Sequence, residues 1–466
     1  MPAYAHPERV EPHPASGPPL LSTADGGFVA VDDVLLELWR AAAGRSLDDL
    51  ACQPPHPDAS GIVPESLACL AEAGLLTRIP AVPRPEPAAR HVDAKHTVTA
   101  VIVVSVPGEL VWLEPCVRAL IAQSHPLDCI IVVDNAVGVD MMEWLAERGL
   151  QARVHSIAAR TNFARALNAG FLAAPDSEFL LFMNADMKVH RVCVGNLVAR
   201  ALETPDCAAV APKLYFWRAP AFLNGIGNRV PGWGFGTDNG IGQLDLGQLD
   251  DWTDVPSGCL GNVLISRAAL DAVGAFDVNY PLYYEDTDWC FRARLLGFRV
   301  VAAPDAHALH AFGGSWDEGA PTALSSLKLG NALLGQLRFA VKIPSPGRSA
   351  LLLLHAFHDW GINIRGALRT GDYVTVGVHG RTALRTALAI PALVAKRIRI
   401  QSRRTVRDAD LFARADDLTP SMVWRNLPEL TSTSVRDYYA PLIRSGRTRL
   451  LPEVTPAGYD PHLALR

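Results

Sequence analysis

From residue 97 onward the chain alternates short β-branched runs with helical patterns, and this alternation restricts the fold more than any other feature. Residues 97–104 read TVTAVIVV, an unbroken apolar run of the kind covered on both faces. A helical pattern at 111–123 follows, then a second buried run at 129–133, a helix near 139–148 and a strand near 152–157. A helix near 163–174 and the run 179–183 (FLLFM) continue the series. Strands separated by helices predict a parallel sheet with right-handed crossovers. The expected fold class is α/β: a Rossmann-like, mostly parallel sheet flanked by helices, over residues 96–320.

The flanking segments have a different texture. Residues 1–19, rich in proline and histidine, read as a disordered tail. Residues 20–78 read as a small module with a β-like stretch at 27–31 and a helix at 32–43, capped by Asp32 or Asp33 and closed by Gly44. A second helix starts at Ser46, and a third covers 65–76 with Leu67, Leu70, Leu75 and Leu76 on its apolar side. These elements predict a winged-helix-like module or, equally, a plain helical cap on the larger domain. Residues 79–95 hold four prolines and read as a linker. Residues 321–410 read as helical and 411–466 as a C-terminal extension. Within the helical part, 387–404 (ALAIPALVAKRIRIQSRR) sets Leu388, Ile390, Leu393 and Val394 ahead of Lys396, Arg397, Arg399, Arg403 and Arg404. That pattern suits a helix lying on an anionic membrane surface, or a helix pair packed on the main domain with solvated basic ends.

Several classes are excluded. A formal net charge of −5 argues against a nucleic-acid partner. The eight cysteines include no Cys-x-x-Cys pair, which disfavours a disulfide framework or a zinc site. The first residues lack the apolar core of a signal peptide, and no run reaches the roughly 18 apolar residues of a membrane span. The expected location is cytoplasmic, including the inner face of a membrane. Residues 104–109 (VSVPGE) lack the Gly-x-Gly-x-x-Gly turn of a dinucleotide-dependent oxidoreductase.

Ligands of open α/β sheets sit beyond the carboxyl ends of the strands, so polar residues there carry most information. One strand ends in Asp134-Asn135 and another in Asn184-Ala185-Asp186, with the passage 160–170 (RTNFARALNAG) between them. These strand ends are expected to ring one crevice. Asp134 is suited to accept a ring N–H, or to close an Asx turn. Asn162 stands beside a ligand or caps its helix. Glu285-Asp286-Thr287-Asp288 opens a helix, where the macrodipole already favours acids, yet three acids in four residues exceed what capping needs. Asp288 is expected to cap the helix or to bind Arg292. The Gly- and Trp-rich stretch 225–252 reads as a mobile loop, with Trp233 placed to stack on a sugar or simply exposed.

Five blocks, VVDNA (132–136), NFARALNAG (162–170), LLFMNADM (180–187), YYEDTDWCFRARLLG (283–297) and HALHAFGGS (307–315), resemble in order and spacing the inverting family-2 glycosyltransferases of the GT-A type, rhamnosyltransferase-like branch. The resemblance implies transfer of a hexose or deoxyhexose from a UDP- or dTDP-linked sugar to a hydroxyl of a glycan, lipid-linked or peptide acceptor. It implies nucleotide-sugar contacts from Asp134, Asn135, Asn162, Asn168 and Asn184, with Asp140 left open as a further one. Mg²⁺ or Mn²⁺ would be held by Asp186 and His310, whose spacing to Gly314-Ser315 favours it over His307. Asp286 is implied as the general base, Glu285 as its support, and Gly261 and Trp233 as acceptor-side residues; Gly258 competes with Gly261. The small module resembles PqqD-like peptide-binding domains, and the whole architecture resembles the glycosyltransferases of mycofactocin-type peptide-cofactor pathways. A non-catalytic sugar-nucleotide-binding protein is the remaining alternative, against which Asp186, Asp286 and His310 count.

Overall fold

The computed structural model describes residues 3–5, 12–13, 19–22, 28–42, 50, 54–59, 61–79 and 86–412, less 218, 231–235, 242–244, 246, 248 and 312–321. Among the described residues the N-terminal module places α1 (Asp33–Ala41) and α2 (Val63–Glu72) around a core that includes Leu38, Trp39, Leu67 and Leu76. Asp32 caps α1 by accepting from Leu35 N at 2.7 Å, and the Trp39 indole donates to Leu75 O at 2.8 Å. The helix expected from Ser46 lies outside the described residues, apart from Leu50, which is buried. Two expectations are corrected. Residues 3–5 pair antiparallel with 77–79, and 12–13 with 20–21, so the first 19 residues are not wholly a disordered tail. Residues 86–95 are also no free tether: Arg90 N donates to Asn196 Oδ1 at 2.9 Å, and the Arg90 guanidinium meets Glu203 at 2.6 Å.

The main sheet is built from β1 (Val98–Val104), β2 (Cys129–Asp134), β3 (Arg153–Ser156), β4 (Phe179–Asn184), β5 (Met187–Val189), β6 (Cys207–Phe216), β7 (Ala219–Ile226), β8 (Asn262–Ser266) and β9 (Arg299–His310). Its order is β3-β2-β1-β4-β8-β6-β9-β5, with β7 added to β6. The first four strands are parallel, β8 runs against both β4 and β6, and β6 and β9 are parallel again.

The period-2 pleat divides β1 between two cores. Val98, Ala100, Ile102 and Val104 meet α3 (Leu110–Ile121) and α6 (Cys193–Glu203), whereas Val101 and Val103 meet α5 (Phe163–Ala173) on the other face. Helix α4 (Met141–Glu147) precedes β3, and Asp140 caps it by accepting from Glu143 N at 3.0 Å. Gly170 brings α5 close to the sheet: a Cβ there would lie 2.4 Å from Val101 Cγ1.

Helices α7 (Arg267–Val273) and α8 (Glu285–Leu295) follow β8. Three long helices follow among the described residues, α9 (Thr322–Lys342), α10 (Pro346–Thr370) and α11 (Tyr373–Gln401), the last two joined at Gly371 with φ +72°. They dock on α8 through an aromatic cluster of Tyr280, Tyr284, Phe291, Phe339 and Phe412. Lys342 lies 2.6 Å from both Asp277 and Asp288, and Lys396 lies 2.6 Å from Asp277. The helical region is therefore part of the framework behind α8.

Candidate active site

Strand register sets the crevice. Asp134 pairs with Val104 and Asn184 with Val103, so the carboxyl ends of β2 and β4 flank that of β1. Two strand spacings separate them by about 10 Å. Asp134 is buried, and its Oδ1 accepts from Val137 N at 2.9 Å, which is the Asx turn; Ala136 within that turn has φ +56°.

The amides of this region are ties. Asn135 Nδ2 donates to Ser105 Oγ and Thr161 O, and its Oδ1 accepts from Thr161 N, with the side chain buried. Asn162 caps α5 through Arg165 N, and its Nδ2 donates to Val278 O at 2.9 Å. Asn168 grips Phe276 from both sides, donating to its O at 2.9 Å and accepting from its N at 3.0 Å. In the structure the amides of Asn135, Asn162 and Asn168 hold backbone, and the nucleotide contact expected of them stands as a proposal. The 276–278 segment they hold leads into the acidic motif.

Asp186 and His310 are brought together from sequence positions far apart. Strand β5 pairs antiparallel with β9, Met187 opposite His310, and Ala311 N donates to Asp186 O. His310 Nε2 stands 3.5 Å from Asp186 Oδ1, an oxygen that is buried and accepts no hydrogen bond. With His310 Nδ1 donating to Asn224 Oδ1 at 2.8 Å, the lone pair of Nε2 is turned to the carboxylate. A carboxylate oxygen and an imidazole nitrogen facing each other this way fit a divalent cation. Among the described residues no group of three or more His, Cys, Asp or Glu completes such a site, so the other ligands would be diphosphate oxygens and water. Asn184 at the end of β4 donates its N–H to Gly261 O at 2.9 Å. A Cβ on Gly261 would lie 2.7 Å from Met187 Cε, so the glycine lets 259–262 approach the β4 end without displacing the methionine tip.

The same segment reaches the acidic motif. Asp286 Oδ2 accepts from Leu260 N at 3.3 Å and from Asn228 Nδ2 at 3.2 Å; its Oδ1 accepts from Thr287 N at 2.6 Å. Leu260 and Gly261 thus link Asp286 to the strand end that carries Asp186. Tyr283 and Tyr284, both at φ +68°, form a left-handed step that turns the chain into α8. Such conformations are costly for bulky residues and persist only where the surroundings hold them. Here Gly236 N donates to Tyr284 Oη at 2.7 Å, and Gly335 of α9 leaves room for the ring.

Glu285 is buried, and its Oε2 accepts no hydrogen bond; burial pushes its carboxyl well above the usual carboxylate range, and the Asp286 charge adds to the rise. Burial raises Asp286 as well, against the pull of the donors from Thr287, Leu260 and Asn228. Asp286 remains partly exposed, so the crevice has access to a basic, poorly solvated carboxylate. Asp288 binds Arg292 at 2.9 Å, as expected, and also Lys342.

Trp233 lies outside the described residues. The mobile loop expected over 225–252 is corrected where it is described. Residues 228–229 pair with 237–238, and Asn224, Asn228, Arg229 and Asn239 are buried. Asn224 and Asn228, partners of His310 and Asp286, went unread in the sequence because a Gly- and Asn-rich stretch carries the composition of a loop.

Residues 101–274 match the family profile described as Glycosyl transferase family 2. This stretch is similar to glycosyl transferase family 2. The α8 carboxylates lie just beyond the matched stretch. No curated protein compared with it matches. The solved structures it resembles include GalNAc-T7 with UDP, GalNAc and Mn²⁺, at 14% identity and TM-score 0.38, covering 46% of this chain and 43% of that one. Another is the mannosyltransferase PcManGT from Pyrobaculum calidifontis in complex with GDP-Man and Mn²⁺, at 17% identity and TM-score 0.42, covering 69% and 88%. A third is S. aureus TarS, at 13% identity and TM-score 0.37, covering 57% and 42%. The chain therefore spans less than half the length of GalNAc-T7 or TarS.

Proposed function

We propose that this protein is a glycosyltransferase, which moves a hexose or deoxyhexose, with inversion, from a UDP- or dTDP-linked sugar to an acceptor hydroxyl. The observation that carries the reading is Asp286, a basic carboxylate held by Leu260 N and Asn228 beside the strand end that bears Asp186. The acceptor oxygen attacks the anomeric carbon, the bond from that carbon to the diphosphate oxygen breaks, and the acceptor proton passes to Asp286. Desolvation favours the proton on this carboxylate, while its charge adds to the rise of the buried Glu285 carboxyl beside it. Asp186 and His310 would hold Mg²⁺ or Mn²⁺, which when bound neutralises the leaving diphosphate. Asp134, in its turn, retains a second oxygen for the nucleotide base, while Asn184 faces the donor sugar.

The finer reading is a mycofactocin-type, peptide-derived acceptor, presented by an N-terminal module of the PqqD-like kind. The packed core of that module supports it as a separate unit. A lipid-linked glycan acceptor is the second reading, favoured by the exposed aliphatic residues of α10 and α11. The location in this reading is the cytoplasm, at the inner face of a membrane.

The test incubates the full chain with a panel of UDP- and dTDP-sugars and Mn²⁺, against peptide and lipid-linked acceptors, with mass spectrometry of the products. Nucleotide release with product formation, lost in Asp286→Asn, is expected. Donor binding without turnover for every pair tested would favour the binding-protein alternative.

A further inference from the structure

Helix α11 is built inside out. Its buried positions include His379, Thr382 and Thr386, whose polar atoms bond the carbonyls one turn earlier: His379 to Thr375 O, Thr382 to Val378 O and Thr386 to Thr382 O. Helix α9 approaches this face at Gly330, where an added Cβ would lie 3.5 Å from Val378 Cγ1 and 3.8 Å from Thr382 Oγ1. The aliphatic residues are turned outward instead: Leu384 is 60%, Leu388 75% and Ile398 65% exposed. At about 100° per residue, Leu384, Leu388, Val394 and Ile398 share one arc on the side away from the buried face. Helix α10 repeats the pattern with Leu354, Phe357, Ile362 and Leu368 exposed. More than half of the large hydrophobic side chains left exposed among the described residues lie on these two helices. A soluble surface rarely gathers them so densely unless something covers it.

The charge states what covers it. Between 322 and 404 there are thirteen Lys and Arg against two acids, Asp359 and Asp372, in a chain whose formal net charge is −5. On α11, Arg381, Arg385 and Arg399 fall along one border of the aliphatic arc. Lys396, Arg399 and Arg403 also line a cavity of about 540 Å³ against the 271–278 segment. No helix among the described residues is long and apolar enough to cross a membrane. An apolar arc edged by cations on such a helix fits the plane of an anionic lipid interface.

We infer that the α10–α11 hairpin seats the protein on a bilayer of anionic phospholipid, its aliphatic arc entering the acyl boundary and its Arg border meeting headgroup phosphates. The inference rests on the membrane location proposed above, and it is independent of the donor and acceptor.

The test is co-sedimentation of the full chain with phosphatidylcholine vesicles, with and without phosphatidylglycerol. Binding only to the phosphatidylglycerol vesicles is expected. Leu388→Glu with Ile398→Glu, at exposed positions, should lower the bound fraction about tenfold with the thermal midpoint unchanged. Arg385→Glu with Arg399→Glu should lower it as well. Binding that survives both pairs of substitutions overturns the assignment of this face but leaves the membrane location standing. Binding to neither vesicle overturns both. A dimer in solution that the Leu388→Glu, Ile398→Glu chain no longer forms, without vesicle binding, assigns the face to a second copy and also overturns the inference. Transfer to a water-soluble acceptor, assayed without vesicles, tests the glycosyltransferase reading separately.

Discussion

Replacing Lys342 with methionine would remove the cation on which the docking of the helical region most depends. Its ammonium is buried and lies 2.6 Å from Asp277 Oδ2 and 2.6 Å from Asp288 Oδ1. Breaking a buried ion pair by deleting one partner costs about 3–5 kcal/mol, because a charge is left without compensation. Here Arg292 still serves Asp288 and Lys396 still serves Asp277, which places the expected loss near the lower bound, about 3 kcal/mol. For a folding unit of this size, that lowers the thermal midpoint by roughly 6–12 °C.

The pH dependence has a definite sign. Burial alone would raise the Asp277 carboxyl, but Lys342 and Lys396 outweigh it and hold it far below the usual carboxylate range. A depressed carboxylate contributes stability above its unfolded pKa and loses it as pH falls through the folded one. The gap between wild type and variant is therefore full at neutral pH and narrows in acid, below about pH 4. Differential scanning calorimetry at neutral and acid pH measures it. A double-mutant cycle with Asp288→Asn should return part of the loss, since the orphaned charge goes too. A Lys342→Met chain melting within about 1 °C of wild type at neutral pH would refute the assignment of these ion pairs.

Three further outcomes are expected. Asp286→Asn and Glu285→Gln should each lower turnover by about 10²–10⁴ for the base and less for its neighbour, yet raise the thermal midpoint at neutral pH. Both carboxyls are raised in the folded state, so the ionised pair costs stability that increases as pH rises above the unfolded carboxylate range. For the same reason, kcat/KM should rise with pH through an apparent pKa above that range, and an acid limb at ordinary carboxylate values would count against Asp286. Asn224→Ala should raise the Mn²⁺ concentration needed for half-maximal donor binding by roughly 10–100-fold, measured by calorimetry with the nucleotide sugar, since it frees the His310 ring. Gly335→Ala should destabilise the chain by about 1–3 kcal/mol, because its Cβ would fall 2.7 Å from a Tyr284 ring carbon.

The strand–helix alternation and the identity of the chemical groups were open to reading along the chain. Runs such as TVTAVIVV and FLLFMN can satisfy their backbone and bury both faces only as interior strands, so sheet, helices and strand-end placement follow from local pattern. Asp186 and Asp286 stood out for the same local reason, as acids at element ends, whereas His310 was marked only by the family resemblance. Pattern is silent about partners that arrive from elsewhere. Asn135, Asn162 and Asn168 have the composition of ligand-binding residues, and packing alone reveals that their amides clamp backbone more than 20 residues away. Asn224 and Asn228 sat in or beside a stretch with the composition of a loop, and the 260–261 bridge between the two carboxylate positions is made by long-range hydrogen bonds to Asn184 and Asp286. Periodicity along one helix likewise marks an apolar face without saying whether it turns inward. In α11 the inward face carries Val378, His379, Thr382, Thr386 and Leu393, while Leu384 and Leu388 lie outside. Local sequence specifies which groups are available and which element each one rides on; long-range packing specifies which of them remain free to meet a ligand.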